Sequence, residues 1–257
     1  MRDARGADLC EFAREELIAI ERAAVHAWPA RETRDIDGWL WRYSGGGSQR
    51  ANSVSSLAFV GANVDEAIDE VERLYFSRSG PSRFQVIDSL SQPADLDQRL
   101  EARGYRLHEP VSTLAKRLVE CASPPGIRAL DQPSDGWMEV YLSNIAPDRH
   151  ASAPSILATI PAPRAFFALE AGGQVISTAL AVQCGDVVIA ECVGTRREAR
   201  RSGAASRVMA ALESWGRAQG ASIAALQAVT ANIPAQQLYA ALGYTMVSKL
   251  HYRVRDR

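Results

Sequence analysis

The most basic segment of the chain combines arginines, a glycine and small residues in an order suited to holding an anion. Residues 195–205 read Thr-Arg-Arg-Glu-Ala-Arg-Arg-Ser-Gly-Ala-Ala, with the pattern Arg200-x-x-Gly203-x-Ala205 at the centre. A strand-like run enters this turn and a helix-like run leaves it, so free backbone N–H groups and the positive end of a helix meet there. Gly203 has no Cβ, which lets a ligand approach the backbone closely. The turn is therefore a candidate phosphate-binding site.

The elements that position this turn follow from the apolar pattern. Residues 187–193 predict a strand, and apolar residues at helical spacing predict a helix that begins near Ala204 and ends at Gly220. Residues 222–229 predict a second strand. The segment 232–244 predicts a short helix with a proline in its first turn and a glycine at its end.

Composition and charge exclude several classes of protein. The chain has 257 residues, 47% apolar content and a formal net charge of −1, so it lacks the overall positive field that non-specific nucleic-acid binding requires. No run is suited to a membrane span or a secretory signal. The four cysteines lack C-x-x-C spacing, and the four histidines lack metal-ligand spacing. We therefore expect a cytoplasmic protein with no metal site, no nucleic-acid partner and no membrane contact.

Two motifs in the second half of the chain resemble those of the GNAT superfamily of acyl-CoA-dependent N-acyltransferases. They are Arg200-x-x-Gly203-x-Ala205 and Asn232-x-x-Ala235-x-x-Leu238-Tyr239-x-x-Leu242-Gly243-Tyr244. The resemblance covers residues 185–253 and implies an α/β fold whose mixed sheet splays between two central strands, 187–195 and 222–229. The pantetheine arm of acetyl-CoA would lie in that opening.

The resemblance also implies which residues hold the acyl donor. Backbone amides near Val193 would polarise the thioester carbonyl, which is oxyanion-type stabilisation, and the amides of the arginine turn would hold the diphosphate. Asn232 would hold a pantetheine amide or cap the helix that follows it, and the two roles are compatible. The candidate residues for binding acetyl-CoA are Val193, Thr195, Arg200, Arg201, Ser202, Gly203, Ala204, Ala205, Ser206 and Asn232.

Glu191 is the candidate general base. An acceptor amine with a pKa near 10.4 is mostly an ammonium ion at neutral pH, so it must lose a proton before it attacks the thioester. Glu191 is the only acid in residues 187–193, and strand alternation predicts that it shares a face with Val193 and Thr195. The alternative interpretation is a strand-end carboxylate paired with a nearby arginine.

Tyr239 is the candidate general acid. A phenol with a pKa of about 10 is matched to giving a proton to a departing thiolate with a pKa of about 8.5, and GNAT members often use a tyrosine at this place in the motif. The alternative is an aromatic packing residue, because Ala235, Tyr239 and Leu242 share a helix face.

Other reactive side chains are weaker candidates. Cys192 adjoins the expected thioester position, but alternation turns its side chain away from Glu191, which favours a buried structural cysteine. His150 is the one histidine near an expected acceptor-side loop, and it is an alternative base.

The first half predicts a helix and a hairpin. Residues 7–27 have a helical apolar pattern. Residues 38–43 predict a strand, the turn Gly45-Gly46-Gly47 follows it, and residues 50–60 predict a second strand. Alternating tryptophans favour a hydrophobic layer; the alternative is a substrate groove between the halves lined by Trp39, Trp41, Arg42, Arg50 and Asn52.

A linker rich in proline and glycine at residues 122–126 predicts two domains, 1–121 and 126–257. The two domains repeat landmarks at nearly constant offsets: Gly80 matches Gly220 (220 − 80 = 140), and Gly104 matches Gly243 (243 − 104 = 139). The repeat indicates a duplicated unit, with shared punctuation by chance as the alternative.

The first domain resembles the degenerate N-terminal half of two-part bacterial GNAT proteins, through Gly38-Trp-Leu-Trp-Arg42 and Arg50-Ala-Asn-Ser53. In place of the arginine turn it has the acidic segment 61–66, whose carboxylates would repel phosphate. The sequence therefore predicts tandem GNAT-like halves with one working site, in the second half.

These observations predict an N-acetyltransferase that moves the acetyl group of acetyl-CoA to a primary amine of a small molecule or peptide, by direct attack in a ternary complex. A non-catalytic acyl-CoA-binding regulatory module is the alternative. The identity of the acceptor, the length of the acyl chain and the formation of a homodimer are left open.

Overall fold

A computed structural model describes residues 12–257. The helices are α1 Arg14–Ala27, α2 Val64–Phe76, α3 Leu96–Ala102, α4 Asp135–Ser143, α5 Ala153–Leu157, α6 Ala204–Ala218 and α7 Ile233–Ala241. The strands are β1 Glu32–Ile36, β2 Trp39–Tyr43, β3 Val54–Ser55, β4 Ser82–Ile87, β5 Arg106–Arg117, β6 Ile127–Leu130, β7 Arg164–Ala171, β8 Gln174–Cys184, β9 Val187–Thr195, β10 Ile223–Val229 and β11 Thr245–Arg255. No helix within residues 12–257 is long and apolar enough to cross a membrane.

The strands of the described residues form one mixed sheet of eleven strands, in the order β1-β2-β3-β4-β11-β5-β10-β9-β8-β7-β6. Alternate residues of β8, β9 and β10 enter two separate apolar clusters, one beneath α1 and α4 and the other beneath α6 and α7. We call these two sides of the sheet the α1 face and the α6 face. The mixed α/β sheet confirms the predicted fold class.

The two halves of the chain exchange strands at the middle of the sheet. β11, the last strand of the second half, lies between β4 and β5 of the first half. β5 lies in turn between β11 and β10 of the second half. The sheet is thus continuous between the halves, and the division into domains 1–121 and 126–257 stays a prediction.

The elements of the two halves repeat in the same order. The run α2-β4-α3-β5 in the first half matches the run α6-β10-α7-β11 in the second. The register agrees with this match, because Gln85 of β4 pairs with Tyr252 of β11 while Gln227 of β10 pairs with Thr113 of β5. The offset between Thr113 and Tyr252 is 252 − 113 = 139, the same as that between Gly104 and Gly243.

The predicted hairpin of the first half is wrong in its second strand. Only Val54–Ser55 is a strand, and Arg50–Asn52 forms a 3₁₀ turn. Asn52 explains the difference, because its side chain accepts from the Ser44 and Gly46 amides and donates to the Gly46 and Ser48 carbonyls. These bonds hold a compact loop where a strand was expected.

The other elements of the first half follow the sequence pattern more closely. Trp39 and Trp41 are fully buried, as the alternating pattern predicts. The opening helix begins at Arg14, and residues 7–11 of the predicted helix lie outside the described residues. The strand β1, which pairs with β2, was not predicted.

Candidate active site

A cavity of about 870 Å³ lies between the end of β9, the start of α6 and the helix α7. It brings together the predicted donor-binding residues other than Ser202, and Tyr239 also lines it. The predicted residues on its wall are Val193, Thr195, Arg200, Arg201, Gly203, Ala204, Ala205, Ser206, Asn232 and Tyr239. The Ser202 hydroxyl instead donates to the Ala199 carbonyl, at 2.7 Å.

The central strands separate beside this cavity. β9 and β10 pair in parallel from Val187 with Ile223 to Ile189 with Ala225, and the pairing stops there. Beyond these residues the two strands diverge and leave an opening in the sheet.

The start of α6 presents unused hydrogen-bond donors to the cavity. None of the backbone N–H groups of residues 201–206 donates a hydrogen bond to another group within residues 12–257. Gly203 is the N-cap with φ +80°, a value that favours glycine, and no side chain caps the helix. Because the helix dipole adds positive potential at the same point, this end of the cavity is suited to an anion such as a diphosphate.

The corresponding place in the first half is closed to such a ligand. The Asn63 side chain caps α2 by accepting from the amides of Asp65 and Glu66, whose carboxylates lie in the first turn. Past the ends of β3 and β4, the backbone N–H of Gln92 donates to the Ser56 carbonyl at 2.7 Å. The cleft that would hold a pantetheine arm is therefore bridged by hydrogen bonds.

A β-bulge changes the faces predicted for the end of β9. Leu180 faces Glu191 and Thr178 faces Gly194, so two residues of β9, Cys192 and Val193, oppose a single residue of β8. Cys192 has φ +52°. The prediction that Glu191 and Val193 share a face is thus wrong. Val193 packs on the α6 face, whereas Cys192 packs on the α1 face together with Ile189.

Cys192 was expected to point away from Glu191, but because of the bulge both side chains lie on the α1 face. Burial raises the pKa of the Cys192 thiol, and the Glu191 charge raises it further. The thiol is therefore held in its protonated form, which disfavours an acyl-cysteine intermediate.

Glu191 forms a two-pronged ion pair with Arg50 of the first half. Arg50 Nη1 and Nη2 donate to the two carboxylate oxygens at 2.5 and 2.7 Å, and the Glu191 side chain is only 6% exposed. The guanidinium also lies 4.8 Å from the centre of the Trp28 ring, just after α1. Burial lowers the pKa of Arg50, but the charge and hydrogen bonds of Glu191 outweigh burial and the net shift is upward.

Tyr239 lies on the cavity side of the opening. Its hydroxyl donates to no other group of the described residues, and its ring packs against that of Tyr244 at 6.0 Å between centres. Burial raises the pKa of Tyr239, and the Glu191 charge adds to the effect. The phenol therefore holds its proton at neutral pH.

The remaining candidates have structural contacts. Asn232 Oδ1 accepts from the Ala235 amide, so the side chain caps α7. His150 contacts the Ile145 carbonyl and does not line the cavity. The described part of the chain holds no group of three or more histidine, cysteine, aspartate or glutamate side chains placed to bind a metal ion.

Almost the whole described chain matches a known family. The family model described as "Probable histone acetyltransferase Rv0428c C-terminal" matches residues 15–255. The chain belongs to this family. It is therefore a GNAT-type acyltransferase, as the two motifs imply, and the resemblance to the GNAT superfamily is confirmed.

Two curated relatives share the acetyltransferase description. The uncharacterized N-acetyltransferase YobR of Bacillus subtilis (strain 168) is 28% identical over 255 residues, which cover 94% of this chain and 99% of YobR. The probable histone acetyltransferase Rv0428c of Mycobacterium tuberculosis is 35% identical over 125 residues, which cover 48% of this chain and 37% of Rv0428c.

Two solved structures share the fold over nearly the whole chain. A GCN5-related N-acetyltransferase from Kribbella flavida has a TM-score of 0.68 and 18% identity, covering 93% of this chain and 95% of its own. A tandem GNAT protein from the clavulanic acid biosynthesis pathway has a TM-score of 0.62 and 11% identity, covering 95% and 96%. Both likenesses extend over the two halves of this family member.

Sequence reasoning missed part of the site in this GNAT protein. Asn144, at the end of α4, lines the cavity and accepts from Arg200 Nη2 at 3.2 Å. The sequence indicates Arg50 only as a possible residue of a substrate groove. Neither position carries a local motif, because each joins the site only through the packing of distant elements.

Proposed function

We propose that this family member transfers an acetyl group from acetyl-CoA to a primary amine, by direct attack in a ternary complex. The observation that carries the proposal is the uncapped start of α6, with six unused backbone N–H groups at residues 201–206 beside a cavity of about 870 Å³. Such a cluster of donors fits the diphosphate of CoA. The cavity then extends past Tyr239 toward the opening between β9 and β10.

The two candidate catalytic side chains lie on opposite sides of that opening. Tyr239 faces the cavity, on the side of the leaving thiolate, and Glu191 projects on the α1 face, from which the amine would come. This separation supports a general acid on the donor side and a general base on the acceptor side.

The proposed steps balance in atoms and charge. The ammonium gives a proton to Glu191, directly or through a water, and its nitrogen attacks the carbonyl carbon of the thioester. The carbon–sulfur bond breaks as the carbon–nitrogen bond forms, and the Tyr239 hydroxyl gives its proton to the thiolate. Tyr239 is reprotonated as the acceptor nitrogen loses its second proton, and Glu191 releases its proton to the solvent before the next turnover.

Binding of acetyl-CoA is the first test. A ligand at about 100 times its Kd adds roughly 2.7 kcal/mol of stability, so acetyl-CoA should raise the melting temperature of the full chain. Gly203→Glu places a carboxylate among the α6 donors and should abolish the rise. Ala62→Glu is the matched control, because it adds the same charge at an exposed position just before α2, whose start is capped by Asn63. This variant should still show the rise in melting temperature with acetyl-CoA.

Turnover is the second test. Release of free thiol is followed with a panel of primary amines that includes n-butylamine, spermidine and a lysine-containing peptide. The peptide is included because one relative, Rv0428c, is described as a probable histone acetyltransferase. Thiol release that depends on an amine supports the transferase. A thermal shift without thiol release would favour the alternative, a non-catalytic acyl-CoA-binding module, and the lack of any shift would contradict both.

A further inference from the structure

Gln227 occupies the position on β10 that corresponds to Glu191 on β9. The last paired residues of the two strands are Ala225 and Ile189, and each of the two side chains lies two residues farther along. Ala225 and Ile189 both pack on the α1 face, so alternation directs Gln227 and Glu191 to that same face. The two polar side chains therefore lie on the two sides of the opening where the acceptor amine would arrive.

Glu21 of α1 fixes the orientation of the Gln227 amide. Gln227 Nε2 donates to Glu21 Oε2 at 3.0 Å and to Thr113 Oγ1 at 3.4 Å. Ser248 donates to the other oxygen of Glu21. Glu21 is only 1% exposed, so four elements of the fold, α1, β5, β10 and β11, converge on one buried carboxyl group. With both amide hydrogens facing oxygen atoms, the amide group cannot reverse without losing these bonds.

The carbonyl oxygen of Gln227 is left without a protein partner. Within residues 12–257, Gln227 Oε1 accepts no hydrogen bond, and it does not belong to the fully buried atoms that lack a partner. It is therefore an acceptor that is not fully buried, that the protein holds in a fixed orientation and that the described residues do not use. An ordered acceptor of this kind is suited to a ligand N–H group.

The repeat in the fold shows which group binds the oxygen atom of the first half that corresponds to Gln227 Oε1. Gln85 is the counterpart of Gln227, because the two pair with the equivalent residues Tyr252 and Thr113. Gln85 Oε1 accepts from Nη2 of Arg42 at 3.0 Å, and both side chains are buried. The counterpart oxygen is thus occupied by a cationic N–H donor of the chain itself.

From this comparison we infer that Gln227 binds the acceptor amine through Oε1, and that Glu21 is the positioning residue that orients it. The inference rests on the proposed function. An ammonium ion has three N–H donors, which Gln227 Oε1 and Glu191 can share across the opening, whereas a hydroxyl has one. The pair therefore selects a protonated primary amine over an alcohol of similar shape.

Kinetics with the most active amine of the panel test the inference. Gln227→Leu removes the acceptor while keeping the size of the side chain, and it should raise the KM of the amine at least tenfold with no change in the Kd of acetyl-CoA. Gln85→Leu is the matched control; it breaks the equivalent bond in the first half and should lower the melting temperature without raising this KM. An unchanged KM in Gln227→Leu would overturn the inference.

The role of Glu21 has its own pair of variants. Glu21→Leu leaves the Gln227 amide without its anchor and should raise the KM of the amine, while Glu21→Gln restores an oxygen acceptor and should recover most of that loss. Equal effects of the two variants on KM, or effects only on the melting temperature, would remove the positioning role.

The failure of the proposed function is distinguishable from the failure of this inference. If wild-type protein does not bind acetyl-CoA, the proposed function fails. If it binds acetyl-CoA but no amine of the panel reacts, n-butylammonium is titrated into the CoA complex of ¹⁵N-labelled protein. The side-chain amide signals of Gln227, assigned by their loss in Gln227→Leu, should shift at saturation, and unshifted signals would overturn the inference.

Discussion

Arg50 and Glu191 lie 141 positions apart in the chain and form a bidentate ion pair, with N–O distances of 2.5 and 2.7 Å. Arg50 belongs to the 3₁₀ turn of the first half, and Glu191 ends the regular part of β9 in the second. The first half therefore contacts the candidate base directly, although its own cofactor cleft is closed. Under the proposed function, the first half is a part of the reaction centre.

Replacement of Arg50 should lower the rate. In Arg50→Ala the buried Glu191 carboxylate loses both hydrogen bonds that fix its position and the cation that compensates its charge. We expect kcat to fall at least tenfold at pH 7. Arg50→Lys should recover part of the rate. Arg103→Ala, which breaks pairs with Asp65 and Asp69 on the surface of the first half, is the control, and an equal loss in both variants would contradict the prediction.

Replacement of Tyr239 should lower the rate and leave donor binding in place. General acid catalysis contributes roughly 10²-fold or more, so Tyr239→Phe should lower kcat by about that factor with little change in the Kd of acetyl-CoA. Because burial and then the Glu191 charge raise the pKa of Tyr239 above 10, the phenol stays protonated through pH 10. Measured kcat should therefore show no loss from Tyr239 ionisation below pH 10.

Tyr244→Phe is the control for this prediction. Tyr244 contacts the Tyr239 ring, but its hydroxyl donates to the buried carboxylate of Glu213. Tyr244→Phe should lower the melting temperature and leave kcat nearly unchanged. Full turnover of Tyr239→Phe at every pH would exclude Tyr239 as the acid.

Local patterns in the sequence were sufficient to predict the elements that line the cavity. The turn at residues 195–205, the helix that starts at Ala204 and the helix after Asn232 all depend on neighbours in the chain, and the structure brings them to one cavity. Periodicity, a proline near a helix start and a glycine at a helix end are signals that act over a few residues. The same patterns also located most strands.

The proposed acceptor side could not be predicted from the sequence because it depends on contacts between residues that are distant in the chain. The pairing of β5 with β10 and β11 brings Thr113 beside Gln227, and the loop held by Asn52 brings Arg50 to Glu191. The bulge at Cys192 and Val193 reverses the alternation in the last part of β9, at a position that the local apolar pattern does not specify. Strand alternation alone therefore assigned Val193 to the wrong face.

The buried carboxyl of Glu21 should make the stability of the protein depend on pH. Burial raises the pKa of Glu21 above its ordinary value of 4.5, against the opposing hydrogen bonds of Ser248, Thr113 and Gln227. Because the pKa of Glu21 is raised in the folded state, its contribution to the free energy of unfolding is complete below pH 4.5. This contribution is lost as the pH rises through the folded-state pKa. Glu21→Gln stays neutral, so its melting temperature relative to wild type should be higher at pH 7 and should converge with wild type toward pH 4.

Glu70→Gln is the matched control with the opposite sign. Glu70 is on the surface of α2, and the hydrogen bond from Arg73 is the main cause that lowers its pKa. Its contribution is present above the ordinary pKa and is lost as the pH falls, so the variant should be slightly less stable than wild type at pH 7. If the melting temperature of Glu21→Gln falls below that of wild type as the pH rises from 4 to 7, then the carboxyl of Glu21 does not lose its stabilising effect with rising pH and the prediction is wrong.

The strand exchange predicts that neither half folds by itself. A chain of residues 126–257 lacks β5, which leaves β10 without one neighbour and β11 without both. It also lacks α1, whose Ile20 and Ala24 pack in the same cluster as Trp137 of α4. Unpaired strand edges and exposed apolar surface favour aggregation. Residues 1–121 and 126–257 expressed separately should therefore show no cooperative thermal unfolding by circular dichroism.

Expressed together, the same two chains should associate and recover the thermal shift with acetyl-CoA, because all eleven strands are then present. The control is the full chain with a protease site inserted in the mostly exposed linker at residues 122–126. Cleavage after folding should leave the two pieces together through gel filtration and preserve the acetyl-CoA shift. If residues 126–257 alone melt cooperatively and bind acetyl-CoA as tightly as the full chain, then the exchanged strand β5 and the helix α1 are dispensable, and the predicted boundary at residues 122–126 separates two independent domains.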